Sequence, residues 1–272
     1  MKVVEVLHMN GGNRDISYAN NSLVQRKVIL MTKTIAEQAI SDLYCSLFPK
    51  TLCIADLGCS SGANTFLVVS ELVKIVEKER KIHNLQSPEI LFHFNDLPGN
   101  DFNTIFQSLG KFQQDLRKQI GEEFGPCFFS GVPGSFYTRL FPSKSLHFVH
   151  SSYSLMWLSQ GLIEEEKVDS FNIPQYTPSP AEVKYIVEKE DSFTINRLEV
   201  TRVHWNVSNE GINGGYNVSR CMRAVAEPLL VSQFDQKLMD LVFQKYEEII
   251  SDRMSKEKTE FINVIVSLTK KR

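Results

Sequence analysis

Leu52-Cys-Ile-Ala-Asp-Leu-Gly-Cys-Ser-Ser-Gly-Ala-Asn-Thr65 is an apolar run that ends in an acid, a glycine and a small-residue turn. Residues 52–55 read as a buried strand, and a helical pattern begins near Thr65. Gly58 and Gly62 let the backbone bend sharply and approach a ligand, while Asp56 at the carboxyl end of the strand can receive a cationic amine. Strand, tight turn and helix in that order make a nucleotide-binding turn. The dinucleotide fingerprint G-x-G-x-x-G needs three glycines, and here Cys59, Ser60 and Ser61 separate only two. No pyrophosphate seat is demanded. A ligand with an amino-acid end and an adenosine end, S-adenosylmethionine, suits this turn; an ordinary strand-to-helix connection is the reading without a ligand.

Further on, Ile90-Leu-Phe-His-Phe-Asn-Asp96 reads as a second strand ending in an acid. In a doubly wound sheet that acid hydrogen-bonds the ribose hydroxyls, which makes Asp96 a ribose ligand with Leu97 beside the adenine. The competing role for Asp96 is the N-cap of a helix over 100–109, a place Asp101 could fill instead. Residues 107–125 read as a polar connection. Cys127-Phe-Phe-Ser-Gly131 returns to strand, and in the turn after it Ser135 and Phe136 could meet the adenine. Leu146-His-Phe-Val-His150 reads as a buried strand that delivers Ser151-Ser-Tyr-Ser-Leu-Met-Trp157 to the same carboxyl edge. There Tyr153, Met156 and Trp157 are either core or binding site, and His147 and His150 read as structural.

Ahead of the turn, Gly11-Gly12 is flexible, and Tyr18, Ser22 and Gln25 share one face of a helix. An amphipathic helix follows over 29–47, with Ile35, Ala39, Leu43 and Leu47 on one side. At Gln160-Gly161 the alternation of strands and helices stops. An acidic run, Glu164-Glu-Glu166, and a proline-rich stretch over 171–180 follow with no buried strand between them. Residues 181–190 read as helix, 193–205 as an exposed-edge strand pair, 206–215 as a loop, 216–234 and 237–253 as helices, and 261–268 as a closing strand. The expected organisation is an N-terminal arm and core over 1–160, a cap segment over 161–190, core strands over 191–207, cap helices over 208–257 and a core strand over 258–272.

A chain of 272 residues with 42% hydrophobic and 23% charged residues has enough apolar material for one sizeable domain with an elaboration. Its formal net charge of -2 gives no basic field for nucleic acid or an anionic membrane. The N-terminus is too short and polar for a signal peptide and no run reaches membrane-spanning length, so a cytoplasmic protein is expected. Five scattered cysteines fit reduced thiols, and the six histidines include no zinc-binding pairing.

Several motifs together resemble one family, the plant salicylate, benzoate, jasmonate and caffeine methyltransferases. They are His8-Met-x-Gly-Gly, Ser17-Tyr-Ala-x-Asn-Ser22, Gln25-Arg-Lys27, Ala55-Asp-Leu-Gly-Cys-Ser-Ser-Gly62, Asn95-Asp-Leu-Pro-Gly-Asn-Asp-Phe102, Gly131-Val-Pro-Gly-Ser-Phe-Tyr137 and Ser151-Ser-Tyr-Ser-Leu-Met-Trp-Leu-Ser159. The likeness continues through Phe171-Asn-Ile-Pro-Gln-Tyr-Thr-Pro-Ser179 and Tyr216-Asn-Val-x-Arg-Cys-Met-Arg-Ala-Val-x-Glu-Pro-Leu229. Met156 makes the salicylic acid carboxyl methyltransferases the most similar group.

The resemblance implies an α/β fold: a Rossmann-like S-adenosylmethionine-dependent methyltransferase sheet with a helical cap, in a homodimer. The donor, leaving as S-adenosylhomocysteine, would meet Tyr18, Ser22, Asp56, Cys59 and Asn64 at one end and Asp96, Leu97, Ser135 and Phe136 at the other. A small aromatic acid, salicylate or benzoate, would meet Gln25, Tyr153, Met156, Trp157 and Tyr176 together with Met222, Val225 and Phe261. In some relatives a magnesium ion is placed by the segment that here carries Asp169, Phe171 and Asn172, with a structural role.

A carboxylate is already a nucleophile at neutral pH, so methyl transfer to it needs no general base. Gln25 Nε2 and the Trp157 indole N–H would hold the two carboxylate oxygens in line, as the catalytic pair. Aromatic faces beside a sulfonium add cation–π attraction of about 1 kcal/mol. Met156 and Met222 would clamp a flat ring. Against the family pattern, a cap helix and the fifth sheet strand are absent between Gln160 and Gly161, and Asn10, Arg14 and Ala63 stand where Lys, Gly and Pro are common. Two other classes stay open: a nicotinamide-dependent oxidoreductase, and a shortened, non-catalytic binder that pairs with a longer subunit.

Overall fold

The computed structural model describes residues 7–12, 14–121, 124–156, 175–205, 214–232 and 234–271. Its centre is β1 (Thr51–Leu57), which pairs in parallel with β2 (Glu89–Asp96) on one side and β4 (Phe148–Ser151) on the other; β3 (Cys127–Pro133) pairs in parallel with β2. The order is β3-β2-β1-β4. Leu52, Ile54 and Ala55 are buried on both faces of β1, which is why the strand reads as continuously apolar.

Helices cover that sheet. Helix α1 is a single turn (Tyr18–Asn21), and α2 (Leu23–Leu47) lays Val24, Val28, Ile35, Ile40 and Tyr44 inward. Ile35 is on the buried side as expected, whereas Leu47 is half exposed. The expected single face of Tyr18, Ser22 and Gln25 is broken at Ser22, whose backbone (φ -99, ψ 38) separates the two helices. Helix α3 (Ala63–Ile82) buries Val68, Val69, Leu72, Val73 and Val76 against the sheet. Ala63 occupies its first helical position, where proline also fits.

Residues 107–120, expected as a connection, are helical. Helix α4 (Phe102–Ile120) buries Ile105 and Leu116 and packs Leu109 and Phe112 on the core. Asp101 is its N-cap and accepts from the Thr104 amide at 3.0 Å. The same carboxylate accepts the Gly12 amide at 2.7 Å, and a Cβ on Gly11 would come within 2.7 Å of the Asp101 Cβ. The Gly11-Gly12 turn is thereby locked to the start of α4.

Beyond β4 the sheet is interrupted. Among the described residues no strand pairs with its outer edge, and β5 (Phe193–His204) and β6 (Glu260–Lys270) form a separate antiparallel sheet of two strands. Residues 193–205 thus make one strand rather than a pair of their own. The strand 146–150, expected to be buried, is short and leaves Val149 half exposed, because among the described residues no strand lies on its outer side. The remaining helices are α5 (Pro180–Glu190), α6 (Gly214–Val231) and α7 (Met239–Lys256). Helix α5 starts on a capping box between Ser179 and Glu182. Ser219 on α6 donates to the Phe243 carbonyl of α7 at 2.9 Å.

Candidate active site

The turn after β1 depends on left-handed backbone at Gly58 (φ +76) and at Ser60 (φ 53). The Gly58 and Cys59 amides both donate to the Asn95 carbonyl at the end of β2, at 2.9 and 3.0 Å. Both glycines do admit a close neighbour, but it is protein: a Cβ on Gly58 would fall 2.3 Å from the Ser154 Cβ, and one on Gly62 would fall 3.1 Å from the Ala19 Cα. The close approach to a ligand expected at these two positions is taken by the chain itself.

Asp56, buried at the end of β1, accepts from the Thr65 hydroxyl at 2.7 Å and from His150 Nδ1 at 2.8 Å. Each carboxylate oxygen keeps a lone pair for another donor. Asp96, at the end of β2, accepts the amides of Ser60 and Leu97 at 2.7 and 2.8 Å. Burial pushes its carboxyl up, helped by the nearby Asp56 charge and opposed by those two amide bonds. Gly134 donates to the Asp96 carbonyl at 2.8 Å, and the Asn95 side-chain amide donates to the Val132 and Gly134 carbonyls at 2.8 and 2.9 Å. Ser135 and Phe136 follow immediately, so the loop after β3 is pinned beside Asp96.

A shallow, solvent-open cleft lies along this edge. Of the expected donor residues, Tyr18, Asp56, Cys59 and Asn64 line it, and Gln25 does too. Ser22 stands behind, receiving the Asn64 amide on its hydroxyl at 3.0 Å. Thr65, Ser152 and His150 also line the cleft, and His150, which reads as structural in the sequence, is thereby part of the site. The signal was available in the pairing of strand ends, since β4 sets His150 directly opposite Asp56. Ser60 and Ser61 hydroxyls are buried in the turn without a partner among the described residues. Two unpaired hydroxyls beside two carboxylates suit a polar ligand that carries an ammonium and vicinal hydroxyls, which fits S-adenosylmethionine.

Toward the acceptor side, the Gln25 amide meets the buried Cys221 thiol of α6 at 3.5 Å. Burial holds that thiol up, with the bond to Gln25 opposing. Met222 and Val225 follow on the same helix, both half-buried. Tyr18 is raised by burial first and then by the Cys221, Asp96, Asp56 and Tyr153 charges, so its hydroxyl sits where the two sides meet. The Tyr153 hydroxyl donates to Asn263 Oδ1 of β6 at 2.6 Å, and burial pushes it up to about 12. Phe261 stacks on Trp205 with centroids 5.0 Å apart. Met156 accepts the Tyr176 amide on its carbonyl at 2.8 Å, but Tyr176 itself is half exposed with its hydroxyl on Glu182, away from the cleft. Trp157, Asp169, Phe171 and Asn172 lie outside the described residues.

All five cysteines are free, and among the described residues no helix is long and apolar enough to cross a membrane. The family model for SAM dependent carboxyl methyltransferases matches residues 4–161 and 159–271. The chain belongs to this family of S-adenosylmethionine-dependent carboxyl methyltransferases. It is 65% identical to benzoic acid/salicylic acid carboxyl methyltransferase 2 of Petunia hybrida over 355 residues, covering 99% of each chain. To the salicylate carboxymethyltransferase of Clarkia breweri it is 42% identical over 365 residues, covering 100% of this chain and 99% of that one. The fold matches a loganic acid methyltransferase solved with S-adenosylhomocysteine, at a TM-score of 0.80 and 27% identity, over 97% of this chain and 99% of that one.

An alignment 355 residues long against a chain of 272 means that this carboxyl methyltransferase lacks residues its relatives carry inside the matched span. The two stretches matched by the family model meet at 159–161. That is the junction at which the strand alternation stops in the sequence, and it follows β4, whose outer edge has no strand partner among the described residues.

Proposed function

We propose that this carboxyl methyltransferase transfers a methyl group to the carboxylate of salicylate or benzoate. The observation that carries the reading is the 65% identity, along both chains, to a Petunia protein named for those two acids. The bound donor supplies an electrophilic methyl carbon on a positively charged sulfur. This chain then has to seat the acid, exclude water and aim one carboxylate oxygen at that carbon. Gln25 is suited to the aiming. Its amide now rests on a thiol, a weak acceptor, and loses little by turning to a carboxylate oxygen instead. Trp157 is proposed as the second donor to the carboxylate, and Tyr153, Met156, Met222, Val225 and Phe261 as the groups around the ring. The proposal extends to a homodimer in solution.

A second reading has its own observation. Among the described residues β4 has no outer neighbour and β5–β6 form a separate sheet, which favours a chain that binds the donor and methylates nothing. Both readings meet one experiment: labelled methyl transfer from S-adenosylmethionine to salicylate and benzoate, run beside a titration with S-adenosylhomocysteine and a sedimentation measurement of mass. Transfer above a Trp157→Ala control supports the first reading. Donor binding with no transfer to any acid supports the second, and no donor binding removes both.

A further inference from the structure

On the far side of the molecule from the cleft, α2 and α3 end side by side. Cys45 sits in the last turn of α2, and Glu79 lies one helical turn before His83, the C-cap residue of α3. The Cys45 Sγ is 3.7 Å from Glu79 Oε2 and 3.7 Å from His83 Nε2, and the three atoms all lie within 4.8 Å of one another. Among the described residues this is the one group of three such ligands.

We propose that Cys45, Glu79 and His83 form a zinc site that bolts the ends of α2 and α3 together. Tetrahedral zinc, with Zn–S of about 2.3 Å and Zn–N or Zn–O of about 2.0–2.1 Å, holds its ligand atoms roughly 3.5 Å apart. Sulfur already stands close to that distance from both partners, so an ion can enter with small rotations and no backbone movement. Thiolate, imidazole and carboxylate are also the mixture that a borderline-soft cation selects over magnesium or calcium. The fourth position is left to water.

Outer contacts orient the ligands. The Ser41 hydroxyl donates to Glu79 Oε1 at 3.0 Å and leaves Oε2 turned to the thiol. The Phe48 ring meets the His83 ring edge-on, with centroids 5.1 Å apart. Such supports fix the direction of a metal ligand. Binding forms a Zn–S bond and releases the Cys45 thiol proton to solvent, with no change of oxidation state.

The test uses the full chain, stripped with chelator and dialysed against Zn2+ or Co2+. Expected are one equivalent of zinc per chain, a thiolate-to-cobalt charge-transfer band, and a rise in Tm on adding zinc. Cys45→Ser and His83→Gln should each weaken binding at least tenfold and abolish the Tm response, and Ser41→Ala should weaken it less. Retained S-adenosylhomocysteine binding shows that the variants are folded. No zinc bound by the wild type, or a cobalt band that survives Cys45→Ser, overturns the proposal and identifies the cluster as hydrogen bonds alone.

Discussion

Asp56 and His150 face each other across β1 and β4, with Oδ1 2.8 Å from Nδ1 at the register where the two strands end. A carboxylate only accepts, so Nδ1 carries the proton and the second imidazole nitrogen is left toward the cleft that both residues line. With Thr65 on its other oxygen, Asp56 is held in one orientation at the position where a donor's ammonium would arrive. Hydrogen bonds to a charged group contribute about 1.5–3 kcal/mol. Asp56→Asn should therefore weaken S-adenosylhomocysteine roughly tenfold to a hundredfold, and His150→Ala less, by calorimetric titration. Unchanged affinity in Asp56→Asn would place the ammonium elsewhere.

Asp96 gives a pH signature. Burial raises its folded-state pKa above the ordinary aspartate range, so the folded chain holds this proton more tightly than the unfolded one. Its contribution to stability is then greatest below the unfolded pKa and is lost as pH rises through the raised value. Donor binding runs the opposite way, because ribose hydroxyls donate to the ionised form. S-adenosylhomocysteine affinity should fall as pH drops through the raised pKa of Asp96, and Asp96→Asn should remove that inflection while lowering affinity at neutral pH. A pH profile identical in the two proteins would end the ribose assignment.

The strand, turn and helix around Asp56 were readable because their grammar is local. Strand, acid, tight turn and helix are all within 52–65, and Asp56 and Asp96 both stand at strand ends in the structure. The helix over 102–120 was legible too, in Ile105, Leu109, Phe112 and Leu116 at spacings of four, three and four, but Gly110 and the polar residues around it masked the period. A Cβ on Gly110 would meet nothing within 4 Å, which marks a solvent-facing position rather than a break. The exposure of Val149 could not be read from an apolar strand. It depends on a neighbour that the strand's own residues do not encode. His150 was missed for a related reason: its partner is 94 residues away and is found only by aligning strand ends.

Gly58 and Ser154 define how tightly the turn is seated. An alanine at position 58 adopts φ +76 at a cost on the order of 1–3 kcal/mol, and its Cβ also collides with the Ser154 Cβ. Gly58→Ala should destabilise the chain by at least about 2 kcal/mol in urea unfolding. Ser154 itself bonds the Leu57 carbonyl at 2.9 Å, so Ser154→Gly also costs stability. In the double mutant the collision is gone and only the backbone strain is left. The two changes should therefore sum to less than their separate effects, and strict additivity would show that the collision carries no energy.

Among the described residues the outer edge of β4 has no strand partner, and this predicts association. Unpaired strand N–H and C=O groups are a template for another chain, and here they adjoin Val149, which is 50% exposed. The second sheet adds Val200 and Ile262, 50% and 61% exposed, on strands that likewise lack a further partner among the described residues. A lysine on an edge strand opposes pairing because its charge must stay in water. Val149→Lys should shift the chain toward smaller species in light scattering, with donor affinity unchanged, since Val149 is not among the residues that line the cleft. The same substitution in the longer Petunia relative should instead destabilise that protein, if its additional residues supply the outer neighbour that β4 lacks among the described residues. Equal effects in the two proteins would mean that the strand edge is open in both, and the interrupted sheet would not be the consequence of the shorter chain.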